Sequence, residues 1–332
     1  MVLRSKRLDR DANHTRRSRA AAVGLAGLLA AVMGSGAIVH AQHFGPWGPA
    51  VSVDPHRTNG INTPKNDGCP IEAPGRHRLF FASDRAGTLD IFVAFPEHHQ
   101  WMLGEKLPAP VNADNANEFC PTPLPGHELL FVSTRANNCG GPGGADNADI
   151  YYTRFNRVTG EWIQPQPLGC EVNSGGEEFS PSLFEADGRT LLYFSSNRDT
   201  GIAGRHKIYS SELQPDGTWS PAQPVVELNS DLAHSDARPN VRKDGLEVVF
   251  DSARAGGGPQ IYTATRASVF HPWSNVTLLD HNVNVGASQT RPTLSRDGQR
   301  LYFGTNAANQ SGDTGSDIFV STRSGPGERR EN

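Results

Sequence analysis

The sequence predicts an all-β fold, a five-bladed β-propeller with four antiparallel strands per blade. All five tryptophans fall at one phase of an internal repeat, Trp47, Trp101, Trp162, Trp219 and Trp273, at spacings of 54, 61, 57 and 54 residues. A period near this length is that of propeller blades. The chain also holds 35 glycines and 24 prolines, which supply the turns that many short strands need. Its apolar residues come in short runs bounded by those turns.

Within each unit the elements recur in one order. After each Trp comes a loop containing Asn62, Asn112, Asn173, Asn229 or Asn284, then Pro70, Pro121, Pro181, Pro239 or Pro292. Proline lacks an N–H and belongs on an edge or at a strand's start, so it is expected to open the innermost strand. A turn follows at Pro74-Gly75, Pro125-Gly126, Asp187-Gly188, Asp244-Gly245 or Asp297-Gly298, closing a hairpin. The second strand is LFFASDR (79–85), LLFVSTR (129–135), LLYFSSNR (191–198), VVFDSAR (248–254) or LYFGTNA (301–307). Near-continuous apolar sequence is what burial on both faces between neighbouring blades requires. The third strand is built on Ile91-Phe92, Ile150-Tyr151, Ile208-Tyr209, Ile261-Tyr262 or Ile318-Phe319. The Trp segment is expected to be outermost, its indole covering the blade edge.

The last unit ends with its third strand, 317–322, while the first Trp segment, 47–53, has no strands before it. The N-terminal segment is therefore expected to complete the last blade, removing an open edge. An open array of five units is the alternative, disfavoured because a blade cannot bury both faces alone. The propeller is assigned to residues 42–325 and a polar tail to 326–332.

Residues 1–41 read as a signal peptide. Arg4, Lys6, Arg7, Arg10, Arg16, Arg17 and Arg19 form a basic start, 20–39 carry no charge, and Val39-His40-Ala41 offers a cleavage site before Gln42. Retention as an N-terminal anchor is the alternative. Thr15-Arg16-Arg17 hints at a twin-arginine signal, but Arg19 and Ala20 stand where that motif prefers large apolar residues. The whole chain has 31 Lys+Arg and 35 Asp+Glu; without residues 1–41, which hold seven and two of these, 24 basic and 33 acidic residues remain, a net charge of −9. Such a surface does not suit nucleic acid or anionic lipid. No long apolar run follows the signal, so no membrane span is expected after its removal. A periplasmic or secreted monomer is expected.

The succession of Pro, Asp-Gly, LxFxSxR, Gly-rich loop and Asp-Ile-Tyr resembles the WD40-like repeat of TolB-type propellers, over about residues 47–322. The resemblance implies the fold and an envelope setting. It does not imply TolB's own role, since the additional N-terminal α/β domain of TolB has no counterpart here, and propellers host many unrelated activities.

Three residues before each Pro stands Asp67, Glu118, Glu178, Asp236 or Gln289; at the end of each second strand stands Arg85, Arg135, Arg198, Arg254 or Ala307. Both positions fall on the top rim, and the unit that loses its acid also loses its Arg. Two readings follow: a structural ion pair in each of four blades, or a polar ligand mouth. An enzymatic alternative uses Asp67, Glu118 and Glu178, since five-bladed glycosidases resemble this placement of acids on successive blades and glycoside hydrolysis needs paired carboxylates. An Arg partner lowers a carboxyl pKa, which is wrong for a proton donor. No cofactor is expected. Calcium is the one ion considered, at Asp114, Asn115, Asn117 and Glu118 or at Asp146, Asn147 and Asp149, although such residues are also ordinary loop composition. His98 and His99 read as solvated loop residues. No Ser-His-Asp signature, phosphate loop or nucleotide fingerprint is present.

Four cysteines in an exported chain allow three pairings. The blade register predicts Cys139–Cys170, in two top-rim segments of blade two, and Cys69–Cys120, at one position of adjacent innermost strands. Four buried free thiols are the alternative. The expectation for function is a non-catalytic binding or scaffold propeller of the envelope, recognising a protein or glycan at its top face.

Overall fold

The computed structural model describes residues 44–75, 78–137, 139–140, 147–307 and 315–326. The signal segment, the polar tail beyond 326, and Asp146 lie outside them. The architecture is five antiparallel sheets around one axis. Strand β1 (Val51–Ser52) comes first. Blade one follows as β2 (Asp67–Glu72), β3 (Leu79–Ser83), β4 (Asp90–Glu97) and β5 (Gln100–Lys106). Blade two is β6 (Glu118–Leu124), β7 (Glu128–Ser133) and β8 (Asp149–Asn156), with two short outer pieces, β9 (Glu161–Trp162) and β10 (Gln166–Pro167). Blade three is β11 (Glu178–Ala186), β12 (Arg189–Ser196), β13 (Lys207–Glu212) and β14 (Gln223–Pro224). Blade four is β15 (Asp236–Val241), β16 (Glu247–Ser252), β17 (Gln260–Thr265) and β18 (Ser274–Leu278). Blade five is β19 (Gln289–Leu294), β20 (Arg300–Thr305) and β21 (Asp317–Thr322), and β1 pairs antiparallel with β21, Val51 opposite Val320. The ring closes as the strand count requires.

The innermost prolines do not open their strands. Each sits inside its strand at a register shift: between Gly68 and Ile71, Phe119 and Thr122, Phe179 and Ser182, Ala237 and Asn240, and Thr290 and Thr293. The residue before each proline is left-handed, with φ 49° at Cys69, 45° at Cys120, 50° at Ser180, 56° at Arg238 and 59° at Arg291. A bulge leaves a residue out of the ladder, so a proline beside it deletes no needed hydrogen bond.

The loop asparagines act as a backbone splice. Asn112 accepts from Ile91 N at 2.8 Å and donates to Ile91 O and Leu107 O. Asn62, Asn173, Asn229 and Asn284 hold Ile318, Ile150, Ile208 and Ile261 in the same way. Each side chain, buried in Asn62, Asn112 and Asn173 and half-buried in Asn229 and Asn284, satisfies backbone groups of the third strand.

The tryptophans do not cap the blade edges; each wedges between its own blade and the preceding one. Trp101 Nε1 donates to the Tyr302 hydroxyl of blade five at 3.2 Å. Trp273 meets Tyr193 of blade three edge-on. Trp219 packs with Leu130 and Ile150 of blade two, Trp162 against Phe80 and Ile91 of blade one, and Trp47 with Val249 and Ile261 of blade four. A large flat ring removes more apolar surface from water in an inter-blade groove than on a solvated edge.

Candidate functional site

The top rim is built from one repeated cluster. Asp67, Glu118, Glu178 and Asp236 are all fully buried. Arg85 reaches Asp67 at 2.6 Å, Arg135 reaches Glu118 at 2.9 Å, Arg198 reaches Glu178 at 3.2 Å and Arg254 reaches Asp236 at 2.5 Å. The second-strand serine completes each set: Ser133, Ser196 and Ser252 donate to their acid, and the Arg Nε of each blade bonds the same hydroxyl. Each guanidinium also bonds loop carbonyls, such as Ile61 O and Val111 O, and lies over the aromatic pair of its blade, Phe131 and Tyr151 in blade two. In blade five, Gln289 bonds Thr305 and no charge is needed. Asp67, Arg85, Glu118, Arg135, Glu178, Arg198, Asp236 and Arg254 are therefore gathered blade by blade, not at one mouth. Their carboxylates are sealed from solvent.

Burial pushes the Asp67 carboxyl up, against Ser83 and Arg85. Burial acts the same way on Asp236, yet its carboxyl lies below the ordinary range, because Lys207, Ser230, Ser252 and Arg254 all donate to it. Lys207 opens the third strand of blade three. The same position is Asp90 in blade one, held by Lys106 at 2.7 Å, and Asp317 in blade five, held by Arg57 at 3.3 Å. In blade two it is Asp149, fully buried, and neither carboxylate oxygen has a partner at hydrogen-bonding distance among the described residues. Leu107 N and Leu168 N make equivalent bonds to Ile91 O and Ile150 O, so Pro167 stands where blade one has Lys106. Burial, then the Glu178 charge, pushes Asp149 up to about 7, with Asn137 opposing.

The axis is closed. The bulge residues turn toward it, and Cys69 and Cys120 are joined there with Cα atoms 4.8 Å apart. Cys139 and Cys170 form the second disulfide, Cα atoms 5.2 Å apart. Both expected pairings are present, and they suit an oxidising compartment outside the cytoplasm. Beneath the first disulfide a proline-lined channel holds only about 30 Å³. The other half of the axis carries Arg238, Arg291 and the buried Asp251.

A wider cleft of about 490 Å³ opens between blades one and two, on the side of the hairpin turns. One wall is Phe95, laid on Gly104 with Arg78 over its ring; the other is Phe155 edge-on to Trp162. Glu105 and Glu128 line it, with His127 and Arg157 at the rim. Burial and the Glu128 carboxylate together raise the Tyr152 hydroxyl pKa. Neither glutamate stands in the repeated acid position, which is why the repeat did not reveal them. Arg238 and Arg291 were legible: they are the residues before Pro239 and Pro292, in phase with Cys69 and Cys120.

Of the residues considered for calcium, Asn117 bonds Leu89 N, and Glu118 is held by Arg135 and Ser133. No group of three His, Cys, Asp or Glu positioned for a metal occurs among the described residues. His98 and His99 lie exposed in the β4–β5 turn.

No protein-family model matches the chain, and no curated protein matches it. Among solved structures, a thermostable family-43 glycoside hydrolase aligns with 83% of this chain and 97% of its own, at TM-score 0.54 and 14% identity. An α-L-arabinofuranosidase from Lactobacillus brevis aligns over 81% and 96%, at TM-score 0.54 and 10% identity. TolB from Acinetobacter baumannii aligns over 84% and 55%, at TM-score 0.43 and 14% identity. At these identities the likeness is one of fold. It nonetheless corrects the expectation of a non-catalytic scaffold propeller and the leaning away from an enzyme: both structures above that align along nearly their full length are glycoside hydrolases.

Proposed function

We propose that this chain is an exported glycoside hydrolase-like propeller that acts on a glycan in the cleft between blades one and two. The observation that carries the proposal is the cleft's composition. Phe95 and the Phe155–Trp162 pair line a volume fit for a few sugar rings, and two glutamates, Glu105 and Glu128, line it with them. The C–H faces of a sugar lie against aromatic rings, and a glycosidic bond is cleaved by paired carboxyl groups, one giving a proton and one activating water or attacking carbon. The innermost acids do not serve this chemistry in the closed propeller, because each is buried and saturated with donors.

The fold supports the reaction class, and the arabinofuranosidase neighbours suggest α-L-arabinofuranosides as the first substrates to try. The blade repeat supports a TolB-type ancestry. Export to the periplasm or beyond is supported by the basic-then-uncharged start of the chain and the two disulfides. We take the working unit to be a monomer.

The test is release of reducing sugar from a panel of aryl glycosides and polysaccharides. Wild type is expected to turn over at least one, and Glu105→Gln or Glu128→Gln to lower turnover about 100-fold or more, the scale of an acid–base group. Loss of activity in Glu118→Gln or Glu178→Gln, with Glu105→Gln and Glu128→Gln active, would return the chemistry to the innermost acids. A panel with no turnover by wild type overturns the proposal.

A further inference from the structure

The axial mouth on the top face carries a charge imbalance that the fold does not need. The bulges of blades four and five turn Arg238 and Arg291 toward the axis, where the bulges of blades one to three turn Cys69, Cys120 and Ser180. One carboxylate serves both arginines. Asp251 Oδ1 accepts from Arg238 Nη1 at 2.8 Å, and Asp251 Oδ2 is taken by the backbone N–H of Arg291 at 2.9 Å. The Arg291 guanidinium is left without a hydrogen bond among the described residues, and its Nε is buried with no partner. A buried, unpaired donor of this kind is costly, so one retained at an opening points to a ligand.

The surroundings fit an anion. The two guanidiniums line a hollow of about 310 Å³ together with Ser288, Thr290, Asn306 and Ser316. Blade one makes room by having no side chain at Gly68, where a Cβ would come within 2.8 Å of Arg291 Nη1. Burial, then the Arg238 charge, pulls Arg291 down to about 10, with Asp251 opposing. An arriving negative charge relieves both effects. The two guanidiniums repel each other with only the Asp251 carboxylate near them, and an anion bound between them would attract both.

We propose that this mouth binds an oxyanion, with Arg291 as its principal donor and Arg238 as the second charge. A guanidinium presents parallel N–H groups that match the oxygens of a carboxylate, sulfate or phosphate, and the neighbouring hydroxyls supply further donors. The site is separate from the blade one–blade two cleft and stands whether or not that cleft is catalytic.

Calorimetric titration of the mature chain with glucuronate, sulfate and phosphate tests it, with glucose as the uncharged control. At least one anion is expected to bind with Kd of a few mM or tighter, and glucose not at all; the strongest of the three identifies the group. Arg291→Gln is expected to weaken that binding about tenfold or more. Unliganded, the same variant is expected to melt no lower than wild type, since it removes a guanidinium whose Nε is buried without a partner. If Arg291→Gln does not fold, Gly68→Val, which crowds the guanidinium, must weaken binding instead. No anion binding up to about 20 mM, or binding unchanged in these variants, overturns the proposal.

Discussion

Asp149→Asn is expected to stabilise the protein, by an amount that grows with pH. Asp149 is fully buried, has among the described residues no cation like those that hold Asp90 and Asp317, and faces the Glu178 charge. Its carboxyl is raised from 3.8 to about 7. In the unfolded chain the group ionises near pH 4, while the folded chain holds the proton until near pH 7. The folded state is therefore fully favoured below about pH 4, loses about 1.4 kcal/mol per pH unit above it, and levels off above pH 7 with about 4 kcal/mol lost. Asparagine has nearly the same shape and never ionises. The difference in unfolding free energy between variant and wild type is thus expected to rise from near zero at pH 4 to about 4 kcal/mol at pH 8, less whatever the new amide loses for want of partners. Urea denaturation at several pH values, disulfides oxidised, measures it. Glu178→Gln is the control, since removing the second acid lets Asp149 ionise at lower pH. A difference that is flat across pH, or that favours wild type at pH 8, would refute the claim that Asp149 is an uncompensated buried acid.

Three further perturbations test the scaffold. Trp47→Ala is expected to cost about 3–5 kcal/mol, because Trp47 fills the groove between blades four and five and stacks under Arg323; an unchanged urea midpoint would dismiss the N-terminal closure as a source of stability. Asp236→Asn and Arg254→Ala are expected to be non-additive by about 1–3 kcal/mol in a double-mutant cycle, since the two groups are in contact at 2.5 Å; strict additivity would show that the contact is not formed in solution. Replacing Cys139 and Cys170 by serine opens a loop of 31 residues and is expected to lower stability by about 3–4 kcal/mol on chain entropy, while non-reducing peptide mapping of the wild type should return Cys139–Cys170 and Cys69–Cys120; a Cys120–Cys139 linkage would show the blade register to be wrong.

The fold was legible because a propeller repeats its chemistry along the chain. Five tryptophans in phase, five proline positions and five apolar second strands state the blade number, and the incomplete first and last units state how the ring closes. Both disulfides followed from the same register. What register could not state is direction in space. That the tryptophans wedge between blades, and that the prolines sit on bulges, depends on how neighbouring sheets twist against each other. The bulge is a backbone event that turns one residue per blade toward the axis, so the identity of Arg238 and Arg291 is in the sequence while their convergence on Asp251 is not. The rim acids were found by repetition, and repetition marked the scaffold. Glu105 and Glu128 break the repeat, and the cleft they share is made by two blades meeting, a distance of about twenty residues that the chain spans by way of the top rim. A repeat determines what every blade has in common; burial and neighbouring charge, set only when the ring closes, decide which carboxylates are sealed and which face solvent.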